Sequence, residues 1–443
     1  MRPVNSTAIS RRLELSDFVL GLRWSDVPAA VRRRLGFLLQ DFVAVSIAGR
    51  RTETARLVAD FAAAEQSGDT SVSLFDGRRL GCTGAAFANG VLGNALDYDD
   101  GHRFVKGHPG CNVVPAAVAS AQLANAALDD LLVAIAVGYE VAIRAGMALH
   151  RRSERYHASG AWGGVGAAAA SARLLGLPAE QLGHALGLAE YHAPDAPIMR
   201  SVADPAMTKD ACGWGAFIGA TSALLAARRF TAVAGTFAGE KSADLGERWR
   251  VLDVYVKRYP CCRWTQPAIE AALALRAETE LDPATIERIE IRSFGAVAGL
   301  ADGIPRTTEA AQYSVSWPVA CALAHRRFGV DDVLGAALSD ATVARLGTRT
   351  TAVVDPGFER QFPARRLGAV TIEARRRRYR SGTFEAPGEP DDPGWEQLVA
   401  AKFDRHARPV IGDCPAPDGS ERVGALGADE LLQRLAGTLR REL

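Results

Sequence analysis

Lysine is scarce in this chain. It stands only at positions 106, 209, 241, 257 and 402, so that 47 of the 52 basic residues are arginine. Charge of one sign is missing too. Fifty-two basic against 51 acidic residues leave a net charge of +1, which removes the electrostatic reason to expect nucleic acid or an anionic membrane as partner. The seven cysteines (82, 111, 212, 261, 262, 321 and 414) form an odd set without a CxxC pair, excluding a disulfide framework and a zinc knuckle as readings. An uninterrupted apolar run of spanning length is lacking as well, because Glu140 and Arg144 break LLVAIAVGYEVAIRAG. The opening MRPVNSTAISRRLEL has no apolar segment of the signal-peptide kind. These absences lead us to expect a cytoplasmic globular protein with reduced thiols, whose partners are small molecules or copies of itself.

What is present is apolar and small. Hydrophobic residues make up 48% of the 443, enough for more than one core. In the N-terminal half, SDVPAAVRRRLGFLLQDFVAVSIAG shows a Ser25 cap, Pro28 in the first turn and apolar spacing through Val31, Leu35, Leu38, Leu39 and Phe42, which predicts a helix. Further helices are expected at 53–66, 82–97, 113–127, 129–150, 161–175, 178–191 and 211–228, with a short hairpin turning at Asp76-Gly77. After about residue 262 the texture changes. TIERIEIRSF and LGAVTIEARRRRYRS alternate as half-buried strands do, while SWPVACALAHRRF and DDVLGAAL look helical. FEAPGEPDDPGW reads as a linker, and WEQLVAAKFDRHA and ADELLQRLAGTLRRE as closing helices that return to the helical body. The expected fold is mainly α: a large all-helical domain, 1–258 with 394–443, plus a smaller α/β (α+β) lid over 259–393.

Four stretches concentrate chemistry. NALDYDDGHRFVKGHPG crowds Asp97, Asp99, Asp100, His102, Arg103, Lys106 and His108 between small apolar helices. Carboxylate and imidazole together suit zinc or iron, but no HxH or HxxEH completes a shell, and Arg103 and Lys106 would repel a cation; a metal-free acid/base loop is the other reading. RYHASGAWGGVGAAAA sets His157 before Ser159, an expected N-cap, and a Gly/Ala helix; its glycines lack the preceding strand that a dinucleotide site needs. AEYHAPDAPIMRSVADPAMTKDACGWGA carries His192, Arg200 and Lys209 on a long loop, the kind of segment on which binding groups sit, or else a plain connection. YVKRYPCCRWTQPAIEAALAL places Lys257, Arg258, Cys261, Cys262 and Arg263 at a helix entrance beside the domain boundary.

Taken in order, ALDYDDGH…GHPG, YHASGAWGGVGAAAASARLLGL, MTKDACGWGA, KRYPCCRWTQPAIEAAL and AQYSVSWPVACAL resemble the MmgE/PrpD family, which includes 2-methylcitrate dehydratase, cis-aconitate decarboxylase and iminodisuccinate epimerase. The resemblance implies a homodimer without metal or organic cofactor, and a site between helical body and lid. It implies Asp97, His108, His157, Lys209 and Lys257 as catalytic residues, with Arg200, His102, Cys262, Arg263 and Trp317 contacting a small polycarboxylate. The chemistry implied is abstraction of a proton next to a carboxylate, most simply in a dehydratase-type lyase; epimerase and decarboxylase are the alternatives, and a binding protein that has lost its chemistry is the non-enzymatic one. In the decarboxylase-like pattern a threonine follows DFDD, a histidine stands near position 262 and a tyrosine near 317. Gly101, Cys262 and Trp317 occupy those places here.

Overall fold

The computed structural model describes residues 14–236, 244–300 and 303–442. The reading of the extreme N-terminus and Lys241 fall outside that range. Helices α1 (Ala29–Gly49), α2 (Glu53–Glu65), α3 (Cys82–Asn94), α4 (Gly110–Leu123), α5 (Leu128–Arg152), α6 (Gly160–Leu174), α7 (Ala179–Tyr191) and α8 (Cys212–Ala227) build the body. A short hairpin, β1 (Ser71–Val72) with β2 (Arg79–Leu80), turns at Gly77, whose φ is +81°. The expected Ser25 cap is not made. Pro28 stands directly before α1 with no side-chain cap, and Ser25 lies in a separate short turn.

Small residues set the spacing of the body. A Cβ added at Gly166 of α6 would stand 2.3 Å from the carbonyl oxygen of Gly138 in α5, so the two helices meet backbone to backbone. Helix α5 is long and apolar enough to cross a membrane by length and hydropathy alone, but 94% of its most apolar window is buried inside the molecule. The two charges in its middle close on each other within that interior: Arg144 donates to Glu140 at 2.6 Å and to Asp244 at 2.8 Å.

A two-stranded pair of β3 (Gly101–His102) and β4 (Val254–Tyr255) is antiparallel, Gly101 opposite Tyr255 and His102 opposite Val254. It ties the acidic loop to a segment far downstream, the one that carries Lys257. Beyond it lies the cap: β5 (Ile286–Ser293) runs parallel to β6 (Thr350–Val354) and antiparallel to β7 (Leu367–Ala374), which pairs with β8 (Arg377–Arg380) and β9 (Phe384–Glu385). Helices α9 (Gln266–Glu278) and α10 (Ser316–His325) pack beside this sheet. The fold is thus mainly α with a smaller α/β part. The arginine run differs from the single strand expected: Arg375 and Arg376 both take positive φ, 49° and 62°, and form the two-residue turn between β7 and β8. Such a turn matches the twist of its flanking strands, and the four arginines end up exposed.

The closing helices α11 (Trp395–His406) and α12 (Ala428–Arg441) pack on α1, and Trp395, Phe403, Leu431 and Leu435 share the body's core. Lys402 of α11 is fully buried, with its ammonium 2.5 Å from Asp41 of α1 and 2.9 Å from the carbonyl oxygen of Tyr98 in the acidic loop. Removing one member of a buried pair leaves an uncompensated charge. Lys402→Met is therefore expected to cost about 3–5 kcal/mol in urea unfolding, and Lys402→Met with Asp41→Asn clearly less.

Candidate active site

The loop between α3 and α4 is held in a shape that few side chains accept. Asp97 has φ +49°, in the left-handed region. Two contacts hold it there: the Lys257 ammonium donates to its carboxylate at 2.7 Å and to its carbonyl at 2.9 Å. Lys257 follows β4, so the β3–β4 pairing delivers it. Lys257 is 2% exposed, and Asp97 outweighs the burial that would discharge it, holding its pKa well above the usual ammonium range. The ammonium is a fixed positive charge, not a base.

His108 occupies the other side of Asp97. Its Nδ1 lies 2.7 Å from the carbonyl oxygen of Asp100 and 3.2 Å from Asp99, so Nδ1 carries a proton, since a carbonyl can only accept. Its Nε2 is left for other work, 3.4 Å from Asp97 and 3.9 Å from Asp210. Burial favours the neutral ring, yet the charges of Asp99 and Asp210 prevail over it and over Lys257, raising the pKa to about 9. At neutral pH this imidazole rests charged. Asp100, buried and bonded to Tyr139 at 2.7 Å, is pushed up to about 7 by burial. Ser159 does not cap α6; its Oγ accepts the N–H of His108 at 2.8 Å, so the hydroxyl anchors the loop instead.

Asp97, His108, Asp210 and Lys257 line a cavity of about 300 Å³ between body and cap, together with Lys106, Tyr156, Ile198, Val202, Tyr255, Trp264, Tyr313, Phe362 and Arg366. Asp210 accepts from Tyr313 at 3.0 Å, and the aromatic wall is backed by Phe294, stacked on Phe362 at 4.4 Å. Asp97, Asp99 and His108 offer three ligand atoms within 4.8 Å of one another, a spacing open to a metal ion. The Lys257 ammonium already sits against Asp97 where a cation would bind, and the charged His108 repels a second one.

The other expected residues are placed as follows. Cys262 and Arg263 line the cavity, but burial pushes the Cys262 thiol up to about 12, and Arg263 is spent on the carbonyls of Val256, Ala386 and Pro387 and on Glu389. His157 meets Asp195 at 3.3 Å and opens on a neighbouring hollow, while Tyr156 before it faces the cavity. Lys209 is buried with its ammonium on Gln312, whereas Asp210 after it faces the cavity. Arg200 is exposed beside the cavity-lining Ile198 and Met199. His102 is buried with neither ring nitrogen hydrogen-bonded among the described residues and is pushed down to about 3 by burial, hence neutral; Trp317 bonds the carbonyl of Asp332 at 2.9 Å within the cap.

Sequence reasoning missed Tyr255, Asp210, Tyr313 and Arg366. Tyr255 had a signal, since in extended chain it shares a face with Lys257 two residues on. Arg366, one of 47 arginines, had none.

Residues 13–244 match the MmgE/PrpD N-terminal domain and residues 259–418 the MmgE/PrpD C-terminal domain. The chain belongs to the MmgE/PrpD family. Among its similar proteins is the cis-aconitate decarboxylase-like protein oryM of Aspergillus oryzae, 28% identical over 58% of this chain and 60% of that protein. The cis-aconitate decarboxylase of Aspergillus terreus is 26% identical over 58% of each, and that of Mus musculus 32% identical over 40% of this chain and 38% of its own. The chain thus spans about three-fifths of the length, or less, of the curated relatives it matches. Tyr255 and Lys257 lie in the stretch between the two MmgE/PrpD matches, after residue 244 and before 259.

Proposed function

We propose that this chain is a lyase acting on a small polycarboxylic acid, in which negative charge developing on carbon next to a carboxylate is stabilised by Lys257 and discharged by a proton from His108. The observation that carries this reading is the state of His108: a charged imidazole, its Nδ1 committed to the loop and its Nε2 turned to the cavity beside a fixed ammonium. A resting acid needs no partner base to complete a decarboxylation. The carboxylate leaves as carbon dioxide, the electron pair of the broken C–C bond stays on carbon as an enediolate, Nε2 delivers its proton there, and solvent restores the imidazolium. The names of the relatives agree with this outcome. Fixed charges that are themselves buried, as Lys257 and His108 are, stabilise the enediolate more than they would in bulk solvent.

Asp210 favours a second reading, dehydration. Its carboxylate, 3.9 Å from Nε2, supplies a base opposite the acid, and His108 then protonates the departing hydroxide to give water. Lys209 acts as a positioning residue, locking Gln312 next to Tyr313 and thereby the bond from Tyr313 to Asp210. The test is a panel of di- and tricarboxylates, cis-aconitate included, incubated in deuterium oxide and followed by NMR. Carbon dioxide release with one deuteron on the adjacent product carbon is expected. An unsaturated product without carbon loss selects dehydration, and no turnover or exchange across the panel overturns the proposal.

A further inference from the structure

Arg366 is anomalous among the buried arginines. Arg144, Arg263 and Arg276 also leave Nε unpaired, but each donates through its terminal nitrogens. Arg366 is 4% exposed, and among the described residues its guanidinium makes no hydrogen bond; the carboxylate it pairs with, Glu389 at 3.6 Å, is bonded to Arg263 at 2.9 Å. A buried guanidinium that donates to nothing is costly unless a ligand completes it. It lines the cavity, as does Tyr255, whose hydroxyl also lacks a partner among the described residues.

Tyr255 is held in place from two sides. The Arg263 guanidinium lies over its ring, 4.0 Å from the centroid. At its hydroxyl end stands Gly101, where any Cβ would come within 2.4 Å of the Tyr255 oxygen. The side chain absent at 101 is therefore the space that the tyrosine hydroxyl fills. Tyr255 ends β4 in the body, and Arg366 precedes β7 in the cap.

We propose that Arg366 and Tyr255 form an anchor for a second substrate carboxylate, apart from the one at the reacting carbon beside Lys257 and His108. The guanidinium and the phenol donate together to that carboxylate, bridging cap and body, so the site selects acids with at least two carboxylates and discriminates against an analogue in which the remote one is an amide. This rests on the lyase reading above.

The experiment compares a dicarboxylate substrate from the panel with its remote monoamide in wild type, Arg366→Ala, Arg366→Lys and Tyr255→Phe. Arg366→Ala keeps Glu389 paired with Arg263, and circular dichroism checks the fold. Expected is an increase of about 10²-fold in KM for the dicarboxylate in Arg366→Ala, with the monoamide changed little, so that the wild-type preference disappears. Arg366→Lys recovers part of it, and Tyr255→Phe lowers it without abolishing turnover. Wild-type turnover with unaltered preference in folded Arg366→Ala or Arg366→Lys overturns the anchor while leaving the lyase reading intact. Absence of wild-type turnover overturns the lyase reading, and the anchor then fails if Arg366→Lys leaves dicarboxylate binding, read by calorimetry, unchanged.

Discussion

Lys257→Met is expected to abolish turnover and to lower stability at once. Among the described residues the ammonium is the only group hydrogen-bonded to the Asp97 carboxylate, and it holds that residue at positive φ. Without it a buried carboxylate stands beside Asp99 and Asp210, with His108 the cation shared among all three, an arrangement expected to cost about 3–5 kcal/mol. Urea unfolding measures the loss. Adding Asp97→Asn removes the stranded charge, so the double variant should regain much of the stability and none of the activity. Residues in direct contact do not behave additively, and this cycle separates the structural part of the pair from its chemistry. A fully active Lys257→Met variant would show that the fixed charge does not stabilise the reaction.

His108→Asn should lower kcat by about 10²–10⁴, the usual worth of general acid help, while leaving the protein folded. The pH dependence carries a sign. The folded pKa is raised to about 9 above an ordinary histidine at 6.5. The contribution of the charged ring to stability is therefore complete below about 6.5 and is lost as pH rises through about 9. Activity follows the same limb: kcat of the wild type should fall as pH climbs through about 9. Asp99 has its pKa lowered, chiefly by His108 against its burial, so that contact is kept at neutral pH and weakens only in strong acid, as pH falls through the depressed value. Replacing Asp99 by asparagine should move the alkaline limb downward, because one of the charges holding the proton on His108 is gone.

Much of this was legible in the chain. The helical spacing, the change of texture after residue 262 and the crowded loop all have local causes, and each corresponds to an observed element. What escaped were decisions made over single residues by distant parts of the fold. His157 and Lys209 were singled out, but the cavity is faced by their neighbours Tyr156 and Asp210. At Lys209 the reason is visible, since φ is +41° at 209 and +54° at Ala211, a backbone course that no propensity announces. Ser159 has the identity of a cap, yet its hydroxyl is claimed by the His108 amide 51 residues away. Gly101 stands where the decarboxylase-like pattern has a threonine, and the Tyr255 hydroxyl fills the space that side chain would take. Long-range pairing, here β3 with β4, is the step that sequence periodicity does not encode.

The charge on His108 bears most directly on whether this cavity can protonate carbon. It is measured by following the histidine Cε1–H signals by NMR from pH 5 to 10, with His108→Asn used to identify the resonance. A ring that stays charged through neutrality and titrates near 9, moving lower in Asp99→Asn, is the predicted result. Titration at or below 6.5 would contradict it, for the residue facing the substrate would then hold no proton to give.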